Sequence, residues 1–82
     1  MQPGDIVRAT AGKDRGKVFL LLSVSDGKGY IANGRRRKVQ RPKGKSPGHL
    51  TLLERGILPP SVTNKTVRNL LRPFYTQHKE ET

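Results

Sequence analysis

The sequence predicts a small, mostly β domain: a strongly bent five-stranded barrel followed by a short helical segment. Three observations predict it. The chain has 82 residues, room for one domain with a small core. Five short strand-like segments are separated by tight turns within about 50 residues. Hydrophobic residues make up only 32% of the chain, enough to fill a small barrel and little more.

The elements follow in order. Gly4–Thr10 reads as a strand, with Ile6 and Val7 between turn-forming ends. Ala11–Gly16 is a loop in which two glycines bracket Lys13-Asp14-Arg15. Lys17–Val24 is the strongest strand: Val18, Leu20, Leu22 and Val24 alternate with Phe19 and Leu21. Both faces are apolar, which predicts a central strand. Asp26-Gly27 turns the chain into a strand at Gly29–Asn33. Asn33-Gly34 is the best two-residue hairpin signal and predicts a returning strand at Arg35–Arg41. Pro42–Gly48 reads as a loop, and His49–Leu53 as the fifth strand.

Residues 1–55 therefore form the predicted barrel and 56–82 an extension, not a separate domain. Ser61 or Thr63 caps a short helix at about Asn64–Leu71, which Pro73 ends. Phe74 and Tyr75 pack the tail onto the barrel, and Thr76–Thr82 frays.

The charge names the partner class. Seventeen Lys and Arg against six Asp and Glu leave +11, a strong positive potential that seeks a polyanion. The excess is uneven. Arg35, Arg36, Arg37, Lys38, Arg41, Lys43 and Lys45 place seven cations in eleven residues with no acid among them. A merely solvated face prefers mixed signs. Arg outnumbers Lys four to one over Arg35–Arg41, and its planar fork suits phosphate and base stacking. Lys13, Arg15 and Lys17, with Arg8 on the strand before them, form a second candidate phosphate-contacting loop. Asp14 either orients Arg15 or simply offsets charge. His49 follows the basic loop; it is either a structural, exposed histidine or a base-stacking or phosphate-binding one.

Other classes lack the residues they need. Without cysteine there is no disulfide, thiol nucleophile or Cys-ligated zinc, and two histidines alone close no tetrahedral site. No nucleophile–base pair can be assembled, so no enzyme, metal or cofactor is expected. The longest apolar run, Val18–Leu22, is far short of a membrane span. No basic-then-apolar leader precedes the first strand, and a cytoplasmic protein is expected. Two Tyr, two Phe and no Trp make a poor single-strand-binding array, which favours backbone and shape recognition of folded RNA. Tyr30 reads as a packing residue rather than a stacking platform.

Gly4-Asp5-Ile6-Val7-Arg8 and Ala11-Gly12-Lys13-Asp14-Arg15-Gly16-Lys17-Val18 together resemble a KOW motif. Tyr30-Ile31-Ala32-Asn33-Gly34-Arg35, Arg37-Lys38-Val39, Arg41-Pro42-Lys43, Lys45 and His49-Leu50 extend the likeness. The stretch Gly4–Leu53 is similar to a family of archaeal and eukaryotic large-subunit ribosomal proteins, number fourteen in that nomenclature, and its small bacterial relatives. The resemblance implies an SH3-like β-barrel that binds RNA, ribosomal RNA above all, through its loops, without catalysis. Ribosomal members often carry longer helical extensions, so a stand-alone or ribosome-associated RNA-binding factor is also expected from it. The competing expectation is a KOW module that binds protein in a transcription or translation factor; a DNA-associated factor is a third.

Overall fold

A computed structural model describes the backbone of residues 1–79 and the side chains of residues 1–75. Five antiparallel strands form one sheet in the order β4-β3-β2-β1-β5. They are β1 (Ile6–Ala9), β2 (Val18–Ser25), β3 (Lys28–Ala32), β4 (Lys43–Lys45) and β5 (Leu50–Glu54); one helix, α1 (Asn64–Lys79), follows.

The sheet must curl. Strands β4 and β5 lie at its opposite edges, yet only residues 46–49 join them, three of these (Pro47–His49) in a compact 3-10 turn. The edges of a flat five-stranded sheet would lie roughly 19 Å apart, four spacings of about 4.8 Å. A linker this short and partly coiled does not span that gap. The sheet therefore rolls into a small barrel-like body. The backbone N–H of Thr10 donates to the carbonyl of His49 (2.9 Å), extending the β1–β5 ladder, and Lys45 Nζ of β4 donates to the carbonyl of Ala11 after β1 (2.7 Å).

The expected central strand is β2, and its two apolar faces serve two packed clusters. Phe19 and Leu21 turn inward onto Val7, Ala9, Ile31 and Leu50. Val18 and Leu20 turn outward, join Ile6, and are covered by Val67 and Leu71 of α1. Leu22 keeps to the outer cluster, but Val24 does not. A bulge between Leu21 and Ser23 breaks the alternation, and Val24, half exposed, lies beside Leu21, Gly29 and Leu50.

Two turn expectations come out differently. Asp26 and Gly27 both take positive φ (52° and 76°) and close β2–β3 as a two-residue turn. Asn33-Gly34 does not: only Gly34 has positive φ (75°). Asn33 Oδ1 instead accepts the N–H groups of Arg35 (2.9 Å) and Arg37 (3.0 Å). The N–H groups of Asn33 and Gly34 both donate to the carbonyl of Arg37, closing a tight loop. Arg35–Arg41 is consequently no strand, and its residues do not alternate between two faces. The fourth strand lies in the segment expected to be a loop, where Gly44 pairs with Tyr30.

The helix is longer than expected. Thr63 caps it, its Oγ1 accepting the N–H of Thr66 (3.1 Å). Pro73 lies inside it, and its backbone continues to Lys79, where a frayed tail was expected; Glu80–Thr82 lie outside the described residues. Burial of Val67 and Leu71, with Phe74 and Tyr75 packed on the same cluster, outweighs the proline. No helix among the described residues is long and apolar enough to cross a membrane.

Candidate nucleic-acid interface

The strand pairing brings the basic segments together. Antiparallel β1 and β2 place the loop Thr10–Lys17 at the start of β2. Antiparallel β2 and β3, with Leu20 opposite Ala32, deliver the segment from Asn33 to the same end. The start of β5, opposite Ala9, brings His49 there as well.

An ion pair joins the two basic loops. Arg37 Nη2 donates to Asp14 Oδ2 at 3.0 Å, and the Asp14 side chain is only 7% exposed. Asp14 thus pairs with an arginine of the other loop, not with Arg15. Helix α1 pins the second loop from outside. Arg68 Nη1 donates to the carbonyl of Gly34 (2.9 Å), and Asn64 Oδ1 accepts the N–H of Val39 (2.8 Å). Val39 packs against the outer cluster, so the loop lies on the barrel instead of projecting as a hairpin tip.

The candidate residues divide by environment. Lys13, Arg15, Lys17, Arg36, Lys38, Arg41, Lys43 and His49 are exposed at or beside this end. Arg35 is exposed too, its guanidinium carbon 5.7 Å from the centre of the Tyr75 ring. Arg37 and Lys45 are half-buried and hold the loops through Asp14 and the Ala11 carbonyl. Arg8 is half-buried on β1, opposite Val18 on one side and Thr51 on the other, away from the loop tips.

Among the described residues, the acids other than Asp14 lie elsewhere. Asp26 occupies the β2–β3 turn and Glu54 ends β5, at the far end of the barrel. Asp5 lies there also, its Oδ2 accepting the N–H of Gln2 (2.9 Å) and its Oδ1 that of Gly56 (3.3 Å). The bond from Gln2, opposed by burial and helped by Gly56, Arg55 and the N-terminus, holds its carboxyl below the ordinary 3.8. Lys28 and Arg55 give that end mixed sign. The far end is balanced and the loop end is positive.

Sequence reasoning missed Asn33, Asn64, Arg68 and Tyr75 as parts of this end. Asn33 reads in the sequence as a turn former; the signal for its side-chain role is an Asn two and four residues before backbone N–H groups that need an acceptor. Tyr75 packs on the outer cluster, as the sequence predicts, and its O–H also donates to the Val18 carbonyl at 3.4 Å. Burial pushes its hydroxyl pKa up, against the opposing effect of Arg35. Together Lys17, Asn33, Arg35, Arg36 and Tyr75 line a cleft of about 370 Å³.

No group of three or more His, Cys, Asp or Glu able to hold a metal occurs among the described residues. No protein-family model and no curated protein matches the chain.

Proposed function

We propose that this chain is an RNA-binding module of the translation apparatus, which clamps structured RNA, ribosomal RNA first, through the basic end of its barrel. One observation carries the reading: two cationic loops, far apart in sequence, are fastened side by side by Asp14–Arg37, while the other described acids, Asp5, Asp26 and Glu54, lie at the opposite end. Such a field orients the protein on a phosphate backbone before any close contact forms. Exposed Lys13, Arg15, Lys17, Arg36, Lys38, Arg41 and Lys43 would neutralise phosphates, and His49 borders them. The KOW-like residue pattern of Gly4–Leu53 supports the same reading.

The test is a salt titration with a structured RNA. With ~6 phosphates contacted, log affinity against log salt should fall with a slope of about −4 to −5. A nearly flat titration would sink the proposal. Competition with duplex DNA at fixed salt separates RNA recognition from general polyanion binding, because charge alone attracts either polymer.

A second reading, a protein-binding KOW module, has one observation in its favour. Met1, Leu21, Val24, Pro47 and Leu50 line an apolar groove of about 220 Å³. The groove is smaller than the usual ligand cleft of ~300–1,000 Å³ and accepts a side chain rather than a helix. Complexes that persist after RNase treatment would favour this reading.

A further inference from the structure

We infer that the cleft between Arg35 and Tyr75 seats one unpaired nucleotide of the bound RNA, its base stacked on Tyr75 and its phosphate held by Lys17 and Arg36. The inference rests on the RNA-binding reading and adds a feature that phosphate contacts lack: a preference for RNA with a base outside the helical stack.

Three elements build the cleft. Lys17 enters from the start of β2, Asn33, Arg35 and Arg36 from the tight loop, and Tyr75 from α1. Its volume of about 370 Å³ lies at the small end of ligand clefts and suits one nucleotide-sized group. Among the described residues, the lining holds three cations, one aromatic ring and no carboxylate. A ligand that uses all of it carries negative charge and a flat π face at once. A free carboxylate has no such face, and a neutral sugar has no charge. A nucleotide has both.

The ring is ready for stacking. Tyr75 is half-buried against the Ile6–Val18–Leu20 cluster, and its hydroxyl is bonded to the Val18 carbonyl, so little freedom is lost on binding. Arg35 covers it loosely: 5.7 Å is near the outer limit of about 6 Å for a cation–π pair, well beyond stacking contact of ~3.5–4.0 Å. A base entering there displaces or lifts the guanidinium, which can then stack on the base's other face. Asn33 Oδ1 already accepts two N–H groups, so the side chain's remaining capacity is its NH2, a donor to a base acceptor. Tyr30 offers no equal platform, because its ring lies against Gly44 of the neighbouring strand, so close that a Cβ added there would stand 3.0 Å from it. Bases inside a duplex are unavailable to such a slot, so the ligand is a bulged or looped nucleotide.

The test compares two RNA hairpins of one sequence, one fully paired and one with a single bulged 2-aminopurine, binding the full chain at fixed salt. The expected result is tighter binding of the bulged RNA by ~10-fold and a change in 2-aminopurine fluorescence on binding. Tyr75→Phe should keep the preference for the bulged RNA, and Tyr75→Leu should abolish it. Should Tyr75→Leu fail to fold, the wild-type fluorescence and affinity difference decide alone. Equal affinities with no fluorescence change would overturn the nucleotide seat and leave the RNA-binding reading standing. Failure of both hairpins to bind would overturn both.

Discussion

Asp14 and Arg37, 23 residues apart, bind one basic loop to the other through a 3.0 Å ion pair. The pair places an anion inside the most cationic part of the molecule, where it costs one unit of charge and fixes two loops. Its partners are unequally covered, with side chains 7% exposed for Asp14 and 31% for Arg37. Solvent on the arginine side limits the gain. Removing Asp14 leaves a half-buried guanidinium without its carboxylate, at a cost of about 1–2 kcal/mol. Asp14→Asn should therefore lower Tm by about 5–10 °C. An unchanged Tm would show that the loops are held by other bonds.

The three adjacent arginines should separate in mutagenesis. Arg36 is exposed, so Arg36→Ala should weaken RNA binding, reduce the salt slope by about one contact, and leave Tm within ~2 °C. Arg37→Ala strands the buried Asp14 carboxylate and should lower Tm as Asp14→Asn does. Thermal melts beside binding titrations check both. Equal stability losses for Arg36→Ala and Arg37→Ala would contradict the assignment.

Asn33 and Gly34 should prove the most sensitive positions in the loop. Asn33→Ala removes the acceptor of two backbone N–H groups, at about 1–3 kcal/mol. At Gly34 a Cβ would lie 2.4 Å from the Asn64 carbonyl oxygen and 2.9 Å from Arg68 Cγ, on a backbone with φ of 75°. Gly27→Ala is the control: φ is similar, 76°, and no atom lies within 4 Å of the added carbon. Gly27→Ala should cost about 1–2 kcal/mol of backbone strain, and Gly34→Ala clearly more. Denaturant unfolding of the two variants measures the difference.

Much of this fold is legible in the residues, and the exceptions have physical causes. Alternation in Val18–Leu22 shows a strand buried on both sides, because period-two patterning survives wherever both faces pack. It fails at Val24 because a bulge, which carries no pattern of its own, reverses the faces. The fourth strand is illegible for another reason. Lys43-Gly44-Lys45 has no β-forming residue; it pairs because Gly44 fits under the Tyr30 ring, a contact made across the sheet. Asn33-Gly34 carries a strong hairpin signal, yet helix α1 holds the loop to the barrel through Arg68 and Asn64. The basic residues were plain in the sequence. Their division into exposed cations and cations that hold the loops was not, since it depends on Asp14 and Ala11 in a distant loop.

Asp5 should make the fold acid-sensitive. Its folded pKa lies below the ordinary 3.8, chiefly because the Gln2 N–H bonds the ionised carboxylate. A depressed folded value means that the ionised form stabilises the native state. That contribution is complete above the unfolded value and is lost as pH falls below 3.8 through the folded one. Asp5→Asn should lower Tm at pH 7 and flatten the decline of Tm in acid. A parallel decline in variant and wild type would place the acid sensitivity elsewhere.

Pro73 offers a case where a substitution should strengthen the protein. It lies within α1, so the Asn69 carbonyl has no N–H to accept four residues on. Its ring is exposed, and little packing is lost on its removal. Proline is about 3 kcal/mol worse than alanine inside a helix, while its rigidity in the unfolded chain returns about 1 kcal/mol. Pro73→Ala should thus stabilise the fold by about 1–2 kcal/mol and raise Tm by about 5–10 °C. Tyr75 follows two residues later, so the same variant reports on the cleft. Val67, Leu71, Phe74 and Tyr75 hold α1 to the outer cluster on either side of Pro73, so stability should rise and the preference for a bulged RNA should remain. A fall in Tm would show that the helix depends on the proline, against its exposure.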